Sequence, residues 1–111
     1  MITNDLLKGT LRTIILKLLL ENGKMYGYEI TREVERLSEG KIKLTYGALY
    51  PALHKLESER LLSSTKKEVD NRLRKYYALT PKGVKEAEAL VQEYRVFAAT
   101  MDALILSKII R

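Results

Sequence analysis

The chain has no cysteine and no tryptophan, and it holds one histidine, one phenylalanine and two prolines. Without thiols there is neither a disulfide framework nor a thiolate metal site, a usage that suits a reducing cytoplasm. His54 has no second imidazole near it, so no metal and no cofactor is expected. Long apolar runs are missing as well. The longest stretch before Glu21 is interrupted by Lys17, and no membrane span fits. The opening residues, MITNDLLKGTLR, lack the basic start and small-residue cleavage site of a secretory signal. No paired carboxylates and no nucleophile beside a base occur at useful spacing. Asp5, Asp70 and Asp102 fall in separate segments, which argues against an enzyme.

What is present is charge of one sign and tyrosine. Lys and Arg number 20 against 14 Asp and Glu, a formal net charge of +6, and seven of the aromatics are tyrosine. Such an excess points to an anionic partner, nucleic acid or a membrane surface. At 111 residues, 46% of them hydrophobic, the chain can build one modest core and not two.

The stretch 43–79 organises the rest. Thr45 is a fitting N-cap, and Leu49, Leu53 and Leu56 recur at helical spacing with Ala52 beside them. Tyr46, Gly47, Tyr50, His54 and Lys55 project elsewhere. Pro51 leaves two starts open, one at Thr45 with a disturbed second turn and one nearer Leu49. A helix that enters the major groove reads bases with its N-terminal side chains. Gly47 and Ala48 permit close approach there, and Tyr46, Tyr50 and His54 offer polar contacts. A hairpin follows. Leu61, Leu62 and Ser64 begin one strand and residues 74–79 form the other, with Tyr76 and Tyr77 on opposite faces. Residues 66–73 make an extended tip that turns at Asp70-Asn71. Lys66, Lys67, Arg72, Arg74 and Lys75 outweigh Glu68 and Asp70, as phosphate contacts would require.

Before this unit, Thr3, Asn4 and Asp5 can cap a helix whose apolar face is Leu6, Leu7, Leu11, Ile14, Ile15, Leu18 and Leu19. It ends near Asn22-Gly23, and Gly9 is an awkward interior residue. The stripe is wider than a three-helix core needs, which assigns Leu7 and Leu11 to a subunit interface as well. Residues 28–37 form a second helix with Ile30, Val34 and Leu37 inward. Tyr26 covers the preceding turn, its hydroxyl within reach of a phosphate. Behind the hairpin, Thr80-Pro81 starts a last helix over residues 81–109, roughly 40 Å long. Val84, Ala87, Leu90, Val91, Tyr94, Phe97, Ala98, Met101, Leu104 and Ile105 form a seam along it. Such a helix outruns the domain it caps. A second copy must cover its far end, which assigns Leu90, Val91, Tyr94, Phe97, Ala98, Met101 and Ile105 to a homodimer interface.

YGYEI at 26–30, YGALYPALHKLE at 46–57 and RLRKYYALTPKG at 72–83 together resemble the PadR family of bacterial transcriptional regulators. The resemblance spans nearly the whole chain. It matches the short subfamily, which carries one C-terminal helix instead of a larger helical domain. Tyr46, Gly47, Tyr50 and Pro51 fall on the family's recognition-helix signature, Lys75 and Tyr76 on its second wing strand, and Thr80 and Gly83 on the start of its final helix. Arg60 stands where the family often has glycine, and Leu73 where proline is frequent. The resemblance implies a homodimeric winged-helix repressor on double-stranded DNA, in many members responsive to small aromatic compounds. Some relatives hold flat drugs between tryptophans. Here Tyr94 and Phe97 are the only stacking groups at the corresponding place, as interface core or as an effector pocket.

The sequence thus predicts an α+β fold, a winged helix-turn-helix over 1–80 and a dimerisation helix over 81–111. Its partners are double-stranded DNA, a second copy and an aromatic effector. The alternative is a winged helix that binds a protein and no specific DNA.

Overall fold

The computed structural model describes residues 2–106. Eight elements follow one another: α1 Asn4–Lys8, α2 Leu11–Asn22, β1 Met25–Tyr26, α3 Gly27–Leu37, α4 Tyr46–Ser58, β2 Leu62–Val69, β3 Arg72–Leu79 and α5 Pro81–Ile105. The α+β winged helix-turn-helix with a long C-terminal helix is what the sequence predicts. The last four residues of the expected 81–109 helix, 106–109, divide between Leu106, its C-cap, and residues outside those described.

The single N-terminal helix expected from the leucine spacing is in fact two. Gly9 caps α1, and the Thr10 hydroxyl donates to the Leu7 carbonyl at 3.0 Å. A poor helix former followed by a side chain that competes for backbone partners breaks the run there. Leu7, expected at a subunit face, lies in the core of the chain itself, and Leu6 takes the outward position. In α3, Ile30 and Val34 are buried but Leu37, expected inward, is 57% exposed. It is the last helical residue, and the chain turns away through left-handed Glu39 and Gly40.

The sheet is antiparallel in the order β1-β3-β2. Sequence reading missed β1, because two residues carry no periodicity. Pairing of Met25 with Tyr77 and Tyr26 with Tyr76 makes it a strand. The extended tip expected at 66–73 continues both strands as ladder, paired from Leu62–Leu79 to Val69–Arg72. Only Asp70 and Asn71 turn, both with positive φ (52° and 63°). That is the two-residue hairpin connection whose twist suits the flanking strands.

Thr45 caps α4, accepting from the Ala48 amide at 3.2 Å, and Pro51 sits inside the helix. The disturbed-turn alternative therefore holds. Proline cannot donate to the Gly47 carbonyl, but both residues are exposed, so water can take that bond. Leu49, Leu53 and Leu56 are buried against Ile15, Leu16, Leu19 and Ile30. Burial of each such side chain stabilises by about 2 kcal/mol. Gly83 and Ala87 are buried in the first turns of α5, and Leu90 packs at the edge of the core. Beyond that the helix runs outward, and the molecule measures 60 × 29 × 21 Å.

Candidate nucleic-acid interface

The exposed flank of α4 carries Tyr46, Gly47, Ala48, Pro51, His54 and Lys55. Tyr46 is 51% exposed. Tyr50 is not equivalent to it. Its ring lies 5.6 Å from that of Tyr46 and 6.4 Å from His54, but its hydroxyl rests on Gly27 at the start of α3. A Cβ on Gly27 would overlap that hydroxyl. Burial, with Tyr46 and Tyr77 nearby, raises the Tyr50 phenol above its ordinary range, so it stays a hydrogen-bond donor. Tyr46 and His54 stand open to solvent, whereas Tyr50 braces α4 against α3.

The hairpin register sorts its cations onto two faces, since side chains of directly paired residues share a side. Lys67 and Arg74 are one pair and Val69 and Arg72 the next, on the side of Thr65, Tyr76 and Tyr26. Lys66 and Lys75 are paired on the opposite side, together with Ser64 and the buried Tyr77. Arg74 lies 4.5 Å over the Tyr26 ring, while Tyr76 meets that ring edge-on at 5.3 Å. Hydrogen bonding to Tyr76, foremost, keeps the guanidinium's pKa raised.

Lys75 is engaged within the molecule. Its Nζ lies 3.5 Å from Glu57 and 5.4 Å above the Tyr77 ring. Partial burial lowers its pKa, but Tyr77 and Glu57 outweigh that and the net shift is upward. Glu57 also accepts from the Ser64 hydroxyl at 2.5 Å, and this bond, followed by Lys75, holds its carboxyl below the usual range against a partial burial that raises it. The end of α4 is thereby tied to both wing strands.

The free flank of β3 and the start of α4 enclose an open groove of about 570 Å³. It gathers Tyr26, Tyr46, Tyr50, Arg72, Arg74 and Lys75 from the predicted DNA-contacting set, and it adds Gly27, Tyr28 and Leu73. Lys66, Lys67, Gly47 and His54 lie outside its lining. Tyr28 and Gly27 were missed by sequence reasoning. The signal was present in YGYEI: a glycine between two tyrosines at a helix start leaves room for a third ring. Tyr28 stacks on Tyr26 at 6.3 Å and carries Arg32 5.8 Å over its own ring. Tyrosine, arginine and lysine around one groove beside an exposed helix can bind phosphate and base edges together.

Residues 15–89 match the PadR-like family of transcriptional regulators. The chain belongs to that family. As a PadR-like protein it is a DNA-binding transcriptional regulator and not an enzyme. It is 33% identical over 103 residues to an uncharacterized protein of Lysinibacillus sphaericus, covering 92% of this chain and 94% of that one. It is 39% identical over 62 residues to the transcriptional regulator Rv3488 of Mycobacterium tuberculosis, 56% of this chain and 55% of the relative. The solved structure of a transcriptional regulator from Clostridium thermocellum superposes with a TM-score of 0.84 at 29% identity, over 92% of this chain and 99% of its own.

The PadR-like fold leaves a second surface open. Tyr94 and Phe97 are about half exposed (49% and 52%), Leu6 is 75% exposed and Ile105 60%. Leu11, Leu90, Val91, Ala98 and Met101 are half-buried. Tyr94 and Phe97 flank two shallow grooves against α1 and α2, one of them lined mainly by apolar groups. Among the described residues no helix is long and apolar enough to cross a membrane.

Proposed function

We propose that the chain acts as a cytoplasmic homodimeric repressor on a pseudo-palindromic operator. Each copy would present α4 to a half-site, with Tyr46, Gly47, His54 and Tyr50 at the base edges. The cations of the wing would hold the backbone, Tyr26 helping. Residues 1–80 would be the reading unit and 81–111 the dimerisation helix, even though the first turns of α5 pack into the same core. One observation carries the dimer: a row of large apolar side chains along α5 and α1, among them Tyr94, Phe97, Leu104 and Leu6, stands in solvent. A second copy is what removes such a row from water. The grooves beside Tyr94 and Phe97 also suit a flat aromatic effector, bound where it can alter the pairing of the two helices.

Selection of bound duplexes from a random pool, with sedimentation of the same protein, tests this reading. The expected result is a dimer that enriches an inverted repeat with half-sites about one helical turn apart. Enrichment of isolated half-sites by a monomer would overturn it. Release of the bound repeat by small planar aromatics, at concentrations that leave the dimer intact, would establish the effector arm.

A further inference from the structure

The junction between the reading head and α5 is built on backbone. The Thr80 amide donates to the Leu61 carbonyl at 3.0 Å, and the Thr80 hydroxyl donates to the Arg60 carbonyl at 2.7 Å. Thr80 in turn accepts from the Gly83 amide at 3.0 Å. Gly83 is buried so close to Leu61 that a Cβ there would overlap the Leu61 carbonyl oxygen. Backbone against backbone leaves no side chain to adjust. A second tie lies beside this one. Arg12 of α2 forks onto Glu59, the C-cap of α4, at 2.9 and 3.2 Å, and also reaches Glu86 of α5 at 3.5 Å. One guanidinium thus connects a scaffold helix, the end of the reading helix and the long helix.

We propose that this joint sets the half-site spacing the dimer accepts, with Gly83 and Arg12 as positioning residues for operator choice. The inference rests on the homodimeric operator-binding reading. Its warrant is leverage. A helix of 25 residues is about 37 Å long, so a tilt of about 5° at its base moves the far end by roughly 3 Å. That is close to the rise of about 3.4 Å per base pair. A joint that slackens by a few degrees admits neighbouring spacings, and one that is wedged open shifts the preferred spacing. Arg12 and its partners are part-exposed, with side-chain exposures of 34–38%, so the fork contributes little to overall stability. Its effect is on orientation.

The test uses the full chain and a DNA pool in which the selected half-site is fixed and the spacer varies. Wild type should favour one spacing over spacers one base pair longer or shorter by about tenfold. Arg12→Gln and Glu59→Gln should each compress that preference to about threefold or less, with half-site sequence and sedimentation unchanged. Arg36→Gln, which removes a comparable surface ion pair with Glu33 within α3, is the control and should keep the wild-type profile. Gly83→Ala is the severe version and should move the optimum if it folds; the two glutamine variants decide the matter if it does not. An unchanged spacing profile in both glutamine variants overturns the joint alone. Loss of the dimer on Arg12→Gln also overturns it, by placing Arg12 in the subunit contact. A wild-type protein that selects isolated half-sites overturns the operator reading and this inference with it.

Discussion

At the scale of single residues, the wing cations are not interchangeable. Arg72 and Lys67 extend from the hairpin into solvent, whereas Lys75 is held against Glu57 and Tyr77. Each phosphate contact contributes about 0.9 to the slope of log affinity against log salt. Arg72→Gln and Lys67→Gln should therefore each flatten the slope on a full operator by about 2, because the dimer loses one contact from each of its two copies. Lys75→Gln should leave it nearly unchanged and lower affinity, if at all, by loosening the wing. Salt titrations on one full operator separate the three, and a slope loss of about 2 for Lys75→Gln would mean that it reaches DNA after all. A second residue stands out for its backbone. Arg60 has a φ of 62°, in the left-handed region that favours glycine. A left-handed backbone costs a side-chain-bearing residue about 1 kcal/mol, partly offset by the greater entropy glycine loses on folding. Arg60→Gly should raise the melting temperature by roughly 2–4 °C, read by calorimetry.

At the scale of elements, the strong signals in the sequence were periodic or capped ones. The leucine spacing of α4, the Thr80-Pro81 start of α5 and the Asp70-Asn71 turn were all legible, because each depends on local chemistry. β1 was illegible because its two residues become a strand only through β3. The break at Gly9 was visible as an anomaly, yet its outcome depended on the Thr10 hydroxyl choosing the Leu7 carbonyl. The faces of the wing were half legible. Alternation separates Tyr76 from Tyr77, but only the ladder shows which lysine meets Glu57. That tie between α4 and the wing is itself titratable. Hydrogen bonding from Ser64, then Lys75, lowers the folded-state pKa of Glu57. A carboxyl whose folded pKa is depressed contributes stability above its unfolded value, and this is lost as pH falls through the folded one. Wild type should therefore lose stability below about pH 4.5, within the usual carboxylate range, more steeply than Glu57→Gln. Chemical denaturation at pH 7 and at pH 3.5 checks it: parallel pH dependence in the two proteins would show that Glu57 contributes no linkage.

At the scale of the whole molecule, the same chain is built as two surfaces at opposite ends of one lever. The surface around α4 and the wing is basic and tyrosine-rich, with ring contacts among Tyr26, Tyr28, Tyr46, Tyr50 and Tyr76, an ion pair between Lys75 and Glu57, and Lys67 and Arg72 left exposed. The far surface is apolar, and large side chains along it are half or more exposed. A monomer would leave Tyr94, Phe97, Leu104 and Ile105 in water. Replacing Tyr94 and Phe97 together by glutamate places two negative charges on each facing helix, where desolvation and mutual repulsion oppose pairing. The core lies elsewhere, at Leu49, Leu53, Leu56 and their neighbours, so each chain should still fold. The double variant should sediment as a monomer, and its melting temperature should lose the concentration dependence expected of a wild-type dimer. Operator affinity should fall by about 100-fold or more, because the second half-site is no longer held at high effective concentration, while affinity for one isolated half-site stays close to that of a single wild-type head. A variant that keeps both the dimer and the operator would move the subunit contact off this seam. A variant that loses affinity for the isolated half-site as well would show that α5 supports the reading head and does more than space two of them.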